Sequence, residues 1–249
     1  MGTGIFGAGM MLTRGCPARL VVLSGSGNLR AWFGLFVIGL SAYATFKGLM
    51  AETRVQWQQT GALQLPTESI LLLVPSLAWV AIAGVTGVIG VFAFRHGLNR
   101  HLVGGLLVGL LVAGSWSITS VLGADDFDPM APVSLSFVAP IGEAMTYLQL
   151  ASGLEPTFNV TLILGVLVGA CLSSMVRGEF QWQTFASASD HARYFLGAMM
   201  MGVGGIFALG CNTGQAITGL ATGSLWSVLV TLVIFMSGYV MHRRLLQSN

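Results

Sequence analysis

Charged side chains are scarce in this sequence. Of 249 residues, Lys and Arg together number 11 and Asp and Glu 9, so charged residues make up 8% and hydrophobic ones 54%. A soluble domain carries roughly 25% charged residues, and 8% cannot cover a water-soluble globule of this size. The shortage excludes a cytosolic enzyme, a nucleic-acid binder and a disordered chain; the solvent is lipid. Lysine is nearly absent, Lys47 standing alone among arginines, and the net charge is only +2, so no polyanion-binding surface is expected. Cysteine is scarce as well. Cys16, Cys171 and Cys211 form no CxxC pair and no metal-ligand spacing, which argues against a disulfide framework and gives no reason to expect a metal or cofactor. No basic stretch precedes the first apolar run, as a cleavable signal peptide would require.

What is present is apolar length. About 20 apolar residues span the hydrocarbon core, and five runs are of that order: Ala31–Met50, Ser69–Phe94, Leu102–Gly123, Phe158–Val176 and Leu225–Met241. Met1–Leu12, Tyr194–Leu209 and Ala216–Ala221 are apolar but short. Pro132–Leu150 contains Pro140, Gly142 and Glu143 and reads as two half-helices about a break. Irregular backbone at membrane depth is tolerated where it is buried in protein or lines a cavity.

The arginines orient the chain. If Pro132–Leu150 dips in and returns, Arg30, Arg95, Arg100, Arg177, Arg193, Arg243 and Arg244 share one side, cytoplasmic by the usual bias. Glu52, Arg54, Glu68, the Asp125–Asp128 cluster and Glu155 fall on the other. The expected architecture is all-α: a polytopic integral membrane protein with inverted repeats and re-entrant half-helices. It forms one transport domain over 1–249, with halves near 1–123 and 124–249 and a cytoplasmic C-terminus.

The repeat is short and specific. Gly7-Ala-Gly9-Met-Met-Leu-Thr-Arg-Gly15-Cys16 and Gly202-Val-Gly204-Gly-Ile-Phe-Ala-Leu-Gly210-Cys211 both fit G-x-G-x5-G-C. Each is followed by a Gly-polar-Leu step, Gly27-Asn28-Leu29 and Gly223-Ser224-Leu225. Under the topology above, the two copies run in opposite senses, the way many transporters build a site at the bilayer midplane. A cysteine inside an apolar helix is usually a small inert hydrophobe, and Cys171 is read so. Cys16 and Cys211, each after a helix-breaking glycine, are read as binding residues.

Asn212, Thr213, Gln215 and Thr218 supply uncharged hydrogen-bonding groups after Cys211. A short helix starting there would aim free N–H groups and its positive dipole end at an anion. Arg14 and Arg19 bring positive charge to Cys16. Thiols are soft and polarisable, so a sulfur-bearing anion fits better than phosphate.

At these residues the sequence resembles the YeeE/YedE sulfur-transport family. Gly210-Cys211-Asn-Thr-Gly214-Gln215-Ala-Ile-Thr-Gly219 is similar to its Gly-Cys-x-x-Gly-Gln-x-x-x-Gly element, and Phe6–Arg30 and Ser136-Phe-Val-Ala-Pro140-Ile-Gly142-Glu143 resemble two further segments. The resemblance covers essentially the whole chain. It implies uptake of thiosulfate across the bacterial inner membrane, the anion being handed between cysteines through S–H···S contacts without covalent capture. Cys16 and Cys211 become relay residues, with Gly210 and Gln215 shaping the second station; Gly15, ahead of Cys16, is also counted among the candidate binding residues. A small TusA-like sulfur-carrier protein is the implied partner, and some relatives handle selenium compounds instead. Family chains carry another cysteine-bearing loop before the equivalent of Phe6; this chain begins almost inside the motif, so an entry station is expected to be missing, either because the start is misassigned or because the chain is a truncated variant that transports poorly or needs a partner. Asn212-Thr213 stands where the family more often has Thr-Ile, which is expected to retune the substrate.

Two other classes stay open at this point. An intramembrane thiol redox or sulfur-transfer enzyme would need a proximal cysteine pair and a low-pKa thiol; a scaffold subunit would need neither cysteine. Glu143 is a candidate for proton coupling or a helix-capping acid. His96, His101 and His242 read as interfacial, His191 as part of a polar loop with Asp190, and Asp125, Asp126 and Asp128 as a solvated turn. Trp32, Trp79, Trp116, Trp182 and Trp226 read as interface anchors.

Overall fold

Apolar runs bounded by capping residues become helices in the computed structural model, which describes residues 2–61, 84, 87, 90–91, 95, 100–122, 135–185 and 187–247. The helices are α1 Gly2–Leu12, α2 Pro17–Gly25, α3 Leu29–Phe46, α4 Ala51–Gly61, α5 Arg100–Leu122, α6 Val138–Leu150, α7 Phe158–Arg177, α8 Ala188–Phe207 and α9 Leu225–Gln247, with a π-helical turn π1 at Gly214–Gly219. Among the described residues there is no strand, only an isolated bridge between Asn28 and Gln183. The all-α class stands.

The caps explain the boundaries. Asn28 accepts from Ala31 N at 3.1 Å to start α3, Thr157 from Val160 N at 3.4 Å to start α7, and Ser187 from Asp190 N at 3.2 Å to start α8. Each satisfies a donor that a helix N-terminus leaves without an intrahelical partner. α7 stops at Gly178 in the left-handed region, φ 67°. α3 ends at Phe46, short of the expected Met50, with Lys47 as its C-cap.

Four helices are long and apolar enough to cross a membrane: Leu29–Phe46, His101–Ser120, Phe158–Arg177 and Leu225–Gln247. They match four of the five expected crossings. Ser69–Phe94 lies almost wholly outside the described residues, as do Asp125–Asp128, Glu68, Trp79 and His96.

Two expectations are corrected. Pro140 and Gly142 do not split the segment into half-helices; α6 is continuous from Val138 to Leu150. Pro140 falls in the first turn, where its missing N–H has no intrahelical acceptor to lose. Residues 132–134 lie outside the described residues. His191 is likewise not in a loop: Ser187 caps ahead of it, and its ring lies 4.4 Å from those of both Phe33 and Phe185.

The chain divides into two compact units, Met1–Leu63 with Ser136–Ile217 and Val228–Asn249, and Gln64–Leu135 with Thr218–Ser227. In the second, α5 buries Val112 and Ser115 and leaves most of its apolar side chains exposed, as a lipid-facing helix does.

The first unit is assembled on glycine. Lipid removes the hydrophobic drive between helices, so close backbone approach at small residues has to hold them. A Cβ on Gly9 would stand 2.6 Å from Gly197 O, and one on Gly204 would stand 2.7 Å from Phe6 N and 2.8 Å from Gly2 O. The pairing of Gly2 with Gly204 and of Gly9 with Gly197 makes α1 and α8 antiparallel. Gly34 meets Tyr194 and Gly202 meets Ile38–Ala42, so α3 runs parallel to α8. Gly7 meets Ile234 and Ser237, and Gly238 meets Met11, so α9 runs parallel to α1. Phe6, Leu20, Ile38, Met201 and Ile234 are fully buried among these helices.

These directions sort the charges of this unit. Arg14 after α1, Arg30 opening α3, Asp190 and Arg193 opening α8, and Arg243 and Arg244 closing α9 lie at one end. Arg177 joins them, because the segment after α7 is tied to the Gly27–Asn28 turn: Leu29 N donates to Gln183 O at 2.9 Å and Asn28 Nδ2 to Gln183 Oε1 at 2.7 Å. Glu52 and Glu155, after α3 and before α7, lie at the other.

Candidate functional site

Both G-x-G-x5-G-C copies fold into the same turn. At the end of α1, Gly15 N donates to Met10 O at 3.1 Å and Arg14 N to Met11 O at 3.3 Å. At the end of α8, Gly210 N donates to Gly205 O at 2.9 Å and Leu209 N to Ile206 O at 3.1 Å. This is the Schellman pair of bonds, which requires a left-handed residue. Arg14 at φ 55° and Leu209 at φ 57° fill that role, and they are the only non-glycine residues with positive φ among the described ones. The cysteine follows two residues later in each copy. A positive-φ glycine, Gly27 at φ 94° and Gly223 at φ 69°, then introduces the long helix.

A side chain one turn beyond each cysteine reaches back to the turn. Arg19 Nη1 donates to Arg14 O at 3.3 Å. Gln215 Nε2 donates to Leu209 O at 3.1 Å and Ala208 O at 3.3 Å, covering carbonyls that the end of α8 leaves open. Gly210 is at φ 154°, and a Cβ there would stand 3.1 Å from Gln215 Nε2. Glycine is therefore required, so Gly210 and Gln215 act together on the turn.

The surroundings of the two thiols differ. Cys211 is 1% exposed. Its Sγ accepts from Gly214 N at 3.4 Å, the bond an N-cap Ser or Asp would make, and Ser136 Oγ lies 3.8 Å from it. One of the N–H groups expected to face a ligand is thus taken by the thiol itself. Beside it, Asn212 Oδ1 is buried without a partner and Thr213 is half-buried. Thr218, in the second unit, donates to Leu135 O at 3.2 Å. π1 begins right after Asn212-Thr213, and single π turns recur at functional sites.

Cys16 is half-buried at the N-cap of α2, with no side-chain cap bond and Pro17 next to it. Gly15 is half-buried, and Arg14 and Arg19 are exposed. Because α1 and α8 are antiparallel, Cys16 and Cys211 stand at opposite ends of the pair, Cys16 at the arginine end. The two copies do not converge on one point.

Ser136 opens the family-like Ser136–Glu143 segment, but nothing in the sequence ties it to Cys211: it lies 75 positions away, and only the fold joins them. Thr13 is a residue that motif spacing did not single out. It is buried, its single hydroxyl proton within reach of Gly9 O at 3.1 Å and Gly15 O at 3.0 Å, with Met201 Sδ at 3.8 Å. Glu143 accepts from Asn159 Nδ2 at 2.9 Å and so braces α6 against α7. Cys171 is half-buried on α7 where Gly25 of α2 packs, a packing position.

Residues 1–240 match the sulphur-transport family. The chain is 26% identical to the thiosulfate transporter TsuA of Spirochaeta thermophila, over 95% of this chain and 74% of that one. It is 23% identical to the thiosulfate transporter TsuA of Escherichia coli, over 92% and 70%. With four helices able to cross a bilayer, the molecule is a multi-pass membrane transporter and not an enzyme. Two matched cysteine turns in an apolar helical frame, and a family match over nearly the whole chain, lead to one conclusion: the chain belongs to the sulphur-transport family.

Proposed function

We propose that this protein takes up thiosulfate across the bacterial inner membrane, the anion stopping at Cys211 and at Cys16 in inverted copies of one cysteine turn. The observation that carries this reading is the Cys211 site. A buried thiol accepts from Gly214 N–H, beside Asn212, whose Oδ1 is buried without a partner. Turned about its last side-chain bond, the Asn212 amide presents its NH2 to the anion. Sγ accepts from Gly214 N, and its own proton is left for Ser136 Oγ, a contact in which either atom can be the donor, or for the anion. A soft S–H donor suits the terminal sulfur of thiosulfate, while the Asn212 amide suits its oxygens.

The arginine end supports a cytoplasmic C-terminus, which makes Cys211 the outer and Cys16 the inner station. α1, α2 and α6, with 11, 9 and 13 residues, are each shorter than a full crossing, which supports the re-entrant reading. A TusA-like sulfur carrier would receive the anion at the Cys16 end. A selenium analogue would fit the same soft contacts, and competition with labelled thiosulfate separates the two.

The test is uptake of 35S-thiosulfate into proteoliposomes holding the full chain. Cys211→Ala should lose uptake by about 100-fold or more, a loss of roughly 2.7 kcal/mol in anion stabilisation at the barrier. Cys211→Ser should resemble Ala, because it keeps a donor but loses soft sulfur. Wild-type uptake by Cys211→Ala, with normal membrane expression, would overturn the relay.

A further inference from the structure

We propose that the arginine-lined pocket at the start of α8 is a staging site for a small divalent oxyanion, next to the Cys16 turn and distinct from both thiols. It rests on the reading of the chain as an anion transporter. The pocket has a volume of about 300 Å³ and is lined by Arg14, Arg30, Ser187, Ser189, Asp190 and Arg193. Three arginines and one aspartate therefore share its lining.

Asp190 is divided between two of them. Its Oδ1 lies 3.7 Å from Arg14 Nη2 and its Oδ2 3.4 Å from Arg30 Nη1. Both distances exceed the 2.7–2.9 Å of tight charge-assisted hydrogen bonds, so neither guanidinium is saturated. No ion pair is seen for Arg193 among the described residues. In a chain with so few charges, this gathering of cations around a single acid leaves a net positive cavity.

The donors suit an oxyanion. The hydroxyls of Ser187 and Ser189 lie 3.0 Å apart, which uses one of their two protons, and Ser187 accepts from Asp190 N. The remaining proton can be donated. The pocket opens at the first turn of α8, a helix of 20 residues whose leading N–H groups point outward. Arg and Ser present hard donors that match sulfonate-type oxygens and bring no preference for a terminal sulfur. The pocket therefore selects charge and shape, and the soft contacts are left to the thiols. Arg14 belongs both to the pocket and to the turn carrying Cys16, so an anion held here is one turn of chain from the inner thiol. In this arrangement Asp190 is an exchangeable counterion. It holds Arg14 and Arg30 in place while the pocket is empty and yields them when a dianion arrives.

The experiment uses the full chain in phosphatidylcholine nanodiscs, with equilibrium binding of 35S-thiosulfate and of 35S-sulfate to the Cys211→Ala protein. Both anions should bind, because the pocket does not need sulfur. Adding Arg193→Gln should weaken both about tenfold, and Arg193→Lys should recover most of the loss. Arg30→Gln should act in the same direction. Asp190→Asn should tighten binding about threefold by removing the competing carboxylate. In proteoliposomes with intact cysteines, Arg193→Gln should raise KM far more than it lowers the maximal rate. Unchanged sulfate binding in both Arg193→Gln and Arg30→Gln overturns the proposal. So does displacement of sulfate by phosphatidylglycerol with no change in KM, which would make the pocket a lipid headgroup seat. The two readings fail separately: wild-type uptake by Cys211→Ala with weakened binding in Arg193→Gln would remove the relay and keep the pocket, and the reverse pattern would remove the pocket alone.

Discussion

The Cys16 turn and the Cys211 turn share a backbone and differ in everything around it. In both, a glycine-faced helix ends in the same pair of Schellman bonds about a left-handed non-glycine residue, and a side chain beyond the cysteine returns to the turn. Yet Cys211 is sealed among Ser136, Asn212 and Gln215, while Cys16 is half-open among arginines. The comparison separates what positions a thiol from what tunes it. Backbone geometry is repeated in both turns; the surroundings are not, Cys211 being buried and Cys16 lying half-buried at the arginine end.

The largest effect should come from breaking the frame that relates the two turns. Gly204→Val places a branched side chain against the backbone of Phe6 and Gly2, which no rotamer relieves. It should cost about 3 kcal/mol and abolish the monodisperse peak in size-exclusion chromatography. Gly4→Val, where a Cβ meets nothing within 4 Å, should leave the peak and the thermal midpoint nearly unchanged.

A middle-sized effect should appear in thiol labelling. Timed alkylation read by mass spectrometry should modify Cys16 at least about tenfold faster than Cys211, in line with access. Equal rates would mean that the Cys211 turn opens readily, and the contrast in burial would lose its meaning. Denaturant should remove the difference.

The smallest effect concerns the left-handed positions. Leu209→Gly and Arg14→Gly should each stabilise the protein by about 0.5–1 kcal/mol, since glycine adopts that conformation without the Cβ clash. Thermal unfolding checks this. Leu209 is largely exposed, so uptake by Leu209→Gly should stay at the wild-type rate, whereas Arg14→Gly should raise KM through loss of a guanidinium. Two substitutions with one backbone effect and opposite functional readouts would sharpen the distinction between scaffold and tuning.

Much of this was legible in the order of residues. G-x-G-x5-G-C marks both turns because close packing and a sharp stop each demand glycine at fixed offsets, and the crossings show themselves as charge-free length. The left-handed residues gave no signal, because Arg14 and Leu209 are not types that favour that conformation. Glycine takes the next position instead. The Pro140 break was misjudged because a proline in the first turn of a helix and one at a break look alike until the N-terminus is located. Ser136 beside Cys211 depends on how the start of α6 is placed against the end of α8, a relation that no local pattern encodes.

The antiparallel contact of α1 with α8 also fixes a length. Gly2 abuts Phe207, so the two turns are separated by at least the eleven residues of α1, roughly 16 Å at ~1.5 Å per residue. A small tetrahedral anion is several times shorter and cannot touch both thiols at once. Under the proposed relay, the two stations would instead be filled together, by two anions in single file. Two dianions at that spacing repel by about 1 to 4 kcal/mol between the bulk-water and protein-surface dielectric limits. Arrival at one thiol would then help to expel the anion waiting at the other, so that flux rises more steeply than occupancy, as in a multi-ion pore.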